Sequence, residues 1–308
     1  MGLYQWPYGA SAFGVPQIAS AYQIPVSTGN YFYVSSVIGS NSNAGTSPAA
    51  PLATLKYAAS RCLASNFDVI VMMPGHAENI STAAYITPVA GTTICGIGTG
   101  TLRPTLTWTA TTSTIVCSAA NLTFQNFLCN TGISEVVTMF SISGTDCTIN
   151  GVDYNESGTY TCISFATTTS AANRFALQNC FHPNTTACAG TGAGWINLVG
   201  GDGIKIWDNV IMVNRPNNAS AGCVVALTTA TTNISILRNV LGSMTSGTAV
   251  VAVSLVAAST GLIAYNSISN LGKTAIAGSL AGANCMCTQN FVTHTVTKSG
   301  LLDPVVDS

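Results

Sequence analysis

Ile204-Lys-Ile-Trp-Asp-Asn-Val-Ile211 and Ile234-Ser-Ile-Leu-Arg-Asn-Val-Leu241 are two copies of one short pattern, 30 residues apart. The frame is an apolar residue, a spacer, an apolar anchor, two spacers, and then Asn or another apolar residue. Followed in both directions, it returns eight times between about residue 92 and residue 292. The anchors are Ile94, Phe124, Ile149, Leu177, Ile206, Ile236, Ile263 and Cys287, separated by 30, 25, 28, 29, 30, 27 and 24 residues. Two positions before them stand Thr92, Leu122, Cys147, Phe175, Ile204, Ile234, Gly261 and Cys285. Alternation of period two marks a strand, and a fixed spacing of this length marks a solenoid. In such a coil no repeat buries its apolar side without a neighbour stacked on it.

Three residues after the anchor the chain changes habit. The first four repeats place Ile97, Phe127, Val152 and Cys180 there, preceded by Gly96, Asn126, Gly151 and Asn179. The last four place Asn209, Asn239, Asn266 and Asn290 there. Gly and Asn enter the left-handed turn region most readily, so each rung is expected to bend at this point. Four Asn in one register are also expected to stack and hydrogen-bond along the coil as a structural ladder. The fold class that follows is all-β, a right-handed parallel β-helix rather than a sandwich or propeller. Eight to nine rungs at about 4.8 Å each give a rod of roughly 40 Å.

Side chains alternate along a strand, so the residues flanking each anchor point outward. They include Thr93, Thr123, Gln125, Thr148, Asn150, Gln178, Lys205 and Ser235, with no Asp or Glu anywhere on that face. Its later half carries Trp207, Leu237, Leu262 and Met286. A solvated face is polar, so these four are expected to form a subunit interface.

Charged residues make up 6% of the 308, with a formal net charge of −1; about a quarter is usual. Such a surface does not steer nucleic acid. Ser, Thr and Asn carry the solvation, and much of the surface is expected to be buried in an assembly. The apolar run at 249–258 is too short to span a bilayer. The N-terminus lacks a basic region followed by an apolar core, so no signal peptide is expected. Eleven cysteines include Cys147, Cys180, Cys285 and Cys287 at inward repeat positions, where a thiol is a small apolar filler. No His lies at metal-ligand spacing from them, so neither metal nor cofactor is expected. Reduced core cysteines suit assembly in a cytoplasm.

Residues 1–47 read as an extended arm. No side-chain charge precedes Lys56, while Tyr4, Trp6, Tyr8, Phe13, Tyr22, Tyr31, Phe32 and Tyr33 crowd the segment. Disordered tails are charged and poor in aromatics, so this one is expected to dock, with Tyr4, Trp6, Tyr8, Phe13 and Tyr22 as partner-binding anchors. Within 48–67, Leu55, Ala58, Ala59, Cys62 and Leu63 fall at helical spacing and predict a short helix capping the open coil. The coil is assigned to 68–295 and a C-terminal tail to 296–308.

Several stretches carry a resemblance. Tyr33-Val-Ser-Ser36, with Gly45-Thr-Ser-Pro-Ala-Ala-Pro-Leu-Ala-Thr-Leu55, resembles the opening segment of pectin-lyase-like β-helix proteins. Val71-Met-Met-Pro-Gly-His-Ala-Glu-Asn-Ile80, Ile94-Cys-Gly-Ile-Gly-Thr-Gly100, Arg103-Pro-Thr105 and Phe13-Gly-Val-Pro16 resemble a group of tailed-phage virion proteins with that fold. The resemblance covers nearly the whole chain. It implies a virion protein, since such β-helices serve as tailspikes, fibres and capsid decorations, commonly as trimers.

Polysaccharide cleavage on this fold needs clustered carboxylates, either around calcium with a basic residue or as paired acids. Asp202 and Asp208 lie around one rung, and Asp146, Asp153 and Glu156 around another, but none repeats in register. Asp202 reads as a turn residue, and His76 and Glu78 as turn or cap residues. The expectation is therefore no enzymatic activity. Composition and resemblance together predict a capsid decoration or cement protein, located on the virion capsid surface. It would bind the major capsid protein and itself as a homotrimer, with no nucleic-acid or membrane partner. The alternative is a tailspike or fibre that recognises or cleaves a host surface glycan.

Overall fold

The computed structural model describes residues 24–155, 160–184, 186–187, 194–214, 222–243, 251–270, 280–294 and 300–302, with the short pieces 10–12 and 15–17. These form a parallel β-helix. Its first sheet stacks Tyr31–Val34, Val69–Met72, Thr93–Gly96, Thr123–Thr131, Thr148–Asn155, Ala176–Gln178, Lys205–Trp207, Ile234–Leu237, Thr260–Ala264 and Asn284–Thr288 in that order. All eight anchors lie opposite one another along this stack, from Ile94 against Phe124 to Ile263 against Cys287. From Phe181–Asn184 onward a second sheet continues the turns beyond the bend, where earlier turns run on within the first sheet, and a third, of seven strands, closes them. Among the described residues the third sheet closes seven turns and the first sheet stacks ten strands, on either side of the eight to nine rungs read from the repeat.

The stack also starts earlier than the repeat suggested. Tyr31–Val34 pairs in parallel with Val69–Met72, setting Phe32 against Ile70 and adding a layer below it. The helix Leu55–Arg61 is capped by the Thr54 hydroxyl and sends Leu55, Ala58 and Ala59 into the same core. Among the described residues no helix is long and apolar enough to cross a membrane.

Inward positions fill one continuous core. Phe140 makes an edge contact with Phe124 at 5.4 Å and touches Phe165 at 5.2 Å, so aromatic packing bridges successive turns. Gly261 stands where its neighbours carry Ile234 and Cys285, because a Cβ there would come 2.0 Å from the Ile234 carbonyl oxygen. The ten described cysteines are free thiols. Burial pushes the Cys95 and Cys180 thiols up to about 12, so both stay protonated as fillers.

Left-handed residues pin both ends of the first-sheet strands. The bend two residues after the anchor falls on Asn126, Gly151 and Asn179, and then on Asp208, Arg238, Tyr265 and Gln289, all with φ between 52° and 59°. In the later repeats the bending residue is thus the one before the Asn, which corrects the sequence reading. The Asn side chains are instead buried at the inner edge of the bend. Asn209 Nδ2 donates to Asn239 Oδ1 at 3.0 Å, Asn239 Nδ2 to Asn266 Oδ1 at 2.9 Å, and Asn266 Nδ2 to Asn290 Oδ1 at 2.9 Å. Each Oδ1 also accepts a backbone N–H from the rung before, beginning with Cys180.

Candidate functional site

Left-handed residues also fall three positions before the anchors, at Phe67, Gly91, Asn121, Asp146, Arg174, Gly203 and Asn233. The register of the strands that follow places them in one column along the coil. Next to them run the outward residues Val69, Thr93, Thr123 and Thr148, paired in one register. Together these two columns floor a groove of about 460 Å3, running along the coil from Phe67 to Asp146.

The segment Pro25–Thr28 forms its wall. Ser27 ties the wall down: its hydroxyl donates to the Phe67 carbonyl, and its N–H donates to the Tyr31 hydroxyl at 2.7 Å. That hydroxyl donates in turn to the Pro25 carbonyl at 3.0 Å. Ile24, Tyr31 and Tyr33 pack on Val69, Val71 and Cys95, which makes this end of the outer face dry beneath the wall. Cover for the first rungs of the face therefore comes from the chain itself.

At the far end Asp146 is gripped by Arg174, whose Nε and Nη2 reach its two oxygens at 2.7 and 2.6 Å. This bidentate pairing holds the Asp146 carboxyl below the usual carboxylate range. Asp202 is also lowered, by hydrogen bonds from the Thr232 hydroxyl at 2.6 Å and the Asn233 amide at 2.7 Å. Asp208 is lowered by a second bidentate partner, Arg238. All three are ionised acceptors at neutral pH, suited to receiving hydrogen bonds from hydroxyl groups.

Beyond Asp146 the outer face continues as Gln125, Asn150, Gln178 and Trp207 in register. The Trp207 indole donates to Ser235 Oγ at 2.9 Å, and Lys205 Nζ lies 5.2 Å from its ring centre. Trp207, Leu237 and Leu262 are half-buried here, and Met286 is 66% exposed. Tyr4, Trp6, Tyr8, Phe13 and Tyr22 lie outside the described residues, as does Glu156.

The remaining charged candidates hold the fold. Glu78 accepts from the N–H groups of Leu55 and Lys56, from the Tyr85 hydroxyl and from His76 Nε2, so it anchors the first turn of the helix. Asp153 takes the Arg103 guanidinium and the Phe181 N–H. Among the described residues no three His, Cys, Asp or Glu side chains gather as a metal site. Sequence reading missed Phe67 and the Pro25–Thr28 wall. Extending the repeat one unit back to Ile70 would have put an aromatic where later repeats carry Gly, Asn, Asp or Arg.

No family model matches the sequence, and no curated protein matches it. Solved structures do share the coil. One, a rhamnogalacturonan lyase, aligns with a TM-score of 0.44 and 11% identity over 85% of this chain and 87% of its own. Another, the GH136 lacto-N-biosidase from Eubacterium ramulus, aligns with a TM-score of 0.29 and 9% identity over 86% and 68%. These likenesses are of fold. The expectation of no enzymatic activity is withdrawn in view of these two matches, and no residue role is carried over from them.

Proposed function

We propose that the chain recognises an extended glycan laid along the outer face of its first sheet, as part of a tailed-phage tailspike or fibre. The groove carries this reading: a trough parallel to the coil, floored by Thr hydroxyls, walled by Pro25–Thr28 and ended by an ionised Asp146. Its volume lies within the range of ligand sites, which pair apolar lining with a few placed polar groups. The virion setting is supported by the sequence resemblance alone.

The test is binding of the purified chain to an array of bacterial surface polysaccharides, repeated with Thr123→Trp, which fills the middle of the floor. Retention of a specific glycan by the parent and its loss in the variant are expected. Equal binding by both would remove the groove from the proposal. Mass spectrometry of the same mixtures reports any cleavage.

A further inference from the structure

We infer that the groove selects an uncharged stretch of about three sugar rings, with Phe67 as the aromatic platform on which one of them stacks. This rests on the glycan reading of the groove and adds its ligand class, length and specificity residue.

Charge comes first. The groove is lined by Ser27, Thr28, Thr93, Thr123 and Asn121 as polar groups, with Asp146 as the single charged one. Arg174, the cation nearest to Asp146, has both its Nε and Nη2 committed to that carboxylate. A uronate seated here would set its carboxylate beside hydroxyls and another carboxylate, with Arg174 already paired and Lys205, the other cation that acts on Asp146, outside the lining. Neutral hydroxyls meet donors and acceptors from Thr93, Asn121 and Thr123 on the two middle rungs, and an acceptor at Asp146.

Length follows from register. Phe67, Gly91, Asn121 and Asp146 occupy one column on consecutive rungs. Three steps of about 4.8 Å separate the two ends, so the trough spans about 14 Å, or about three rings.

The platform is the third argument. Phe67 is 53% exposed and holds φ at 57°, a conformation costly for a bulky side chain. Its column companions in the groove are Gly91, Asn121 and Asp146, residue types that accept this region. One edge of the ring lies over Gly91, where an added Cβ would sit 3.2 Å from Phe67 Cδ1. The backbone on the other side is wedged against Gly29, where a Cβ would stand 2.6 Å from the Phe67 carbonyl carbon. A strained, half-exposed aromatic held by its surroundings at the mouth of a trough points to contact with a ligand.

The experiment is calorimetric titration of the full chain with neutral oligomers of glucose, galactose, mannose and N-acetylhexosamine, two to five units long. Glucuronate and galacturonate oligomers of equal length are run beside them. Affinity for the preferred neutral series is expected to rise up to three units and then level off, with uronates at least tenfold weaker. Phe67→Asn, which suits the left-handed position, is expected to weaken the neutral series at least tenfold without lowering the melting midpoint. Phe67→Trp retains binding. Equal binding of uronates overturns the charge selection, and undiminished binding by Phe67→Asn, or a joint fall in stability, overturns the platform. In those cases loss of binding in Thr123→Trp still upholds the groove. If no oligomer binds and the polysaccharide array is also blank, the groove reading itself falls.

Discussion

Replacing Asn239 by Ala removes the middle of the buried amide ladder, and its cost can be worked out bond by bond. Asn239 Oδ1 accepts the Asn209 backbone N–H at 2.9 Å and the Asn209 Nδ2 at 3.0 Å. Its own Nδ2 donates to the Ile206 carbonyl at 2.8 Å and to Asn266 Oδ1 at 2.9 Å. Asn239 is 1% exposed, so water does not replace what is lost. The Asn209 N–H loses its acceptor outright, which costs about 1–3 kcal/mol for an orphaned buried donor. The three other lost bonds cost about 1 kcal/mol each, and the empty volume is small, so the total is about 4–6 kcal/mol. Asn239→Asp separates the two functions of the amide. It keeps an acceptor for the Asn209 N–H but faces the Ile206 carbonyl and Asn266 Oδ1 with acceptors only. That carboxyl is therefore raised above its unfolded value, and the variant gains stability as pH falls and it protonates. Solenoids open from weak points, so the assay is hydrogen exchange by mass spectrometry on peptides spanning 204–214 and 234–243, alongside urea unfolding. A change under about 0.5 kcal/mol in Asn239→Ala, with unaltered protection of the Asn209 amide, refutes the argument that the ladder satisfies these groups.

His182 makes the fold acid-sensitive. Burial lowers it to about 4; it accepts the Trp195 indole N–H at 2.8 Å and meets the Val152 carbonyl at 2.9 Å through Nε2, as a neutral ring. Its folded value lies below the unfolded one, so its contribution is intact above pH 6.5 and drains as pH falls towards 4, by about 3 kcal/mol. His182→Phe is expected to flatten the stability profile between pH 6.5 and 4.5, and an unchanged slope refutes it. Arg103 reaches across the coil to one strand, Thr148–Asn155, through Asp153 and the Gly151 carbonyl, its side chain 16% exposed. Arg103→Ala is expected to cost about 2 kcal/mol in urea unfolding with little salt dependence, because the pair is mostly withdrawn from water. Tyr265 holds φ at 59° with its side chain on the surface, and its exchange for Asn is expected to stabilise the chain by about 1 kcal/mol. A lower melting midpoint in that variant refutes the strain argument.

The coil was legible because its rule is local. An anchor every 24 to 30 residues fixes which side chains face inward, and the register follows once neighbouring copies stack. The Asn ladder was legible for the same reason. The bend itself was not, since Asp208, Arg238, Tyr265 and Gln289 are not residues that announce a left-handed turn. They take it because the following Asn must hold its N–H and amide in line with the next rung, a tertiary demand that overrides local preference. Glu78 reads locally as a turn or cap residue, but its bond to the Leu55 N–H crosses 23 residues. The groove wall crosses further still: Ser27 reaches Phe67 over 40 residues, and no spacing in the sequence marks that contact.

Phe67 and Tyr265 share a conformation, and the difference between them bears on function. Both are exposed aromatic residues at left-handed positions beside the first sheet. Tyr265 sits at the bend, where the Asn ladder forces the turn whatever side chain precedes it, so its strain is a by-product of packing. At Phe67 the turn is likewise held by the residue that follows, buried Asp68, whose carboxylate accepts the Asn30 and Leu63 N–H groups and the Asn66 amide, and the same column accommodates Gly91 one turn later. Backbone requirements there would be met by Gly or Asn at lower cost, and nothing in the core needs the ring. What the ring does provide is an apolar surface at the head of a trough otherwise floored by hydroxyls. Both turns are thus fixed by the side chain that follows them, and what sets Phe67 apart is the place of its exposed ring at the head of the groove, on which the platform assignment stands.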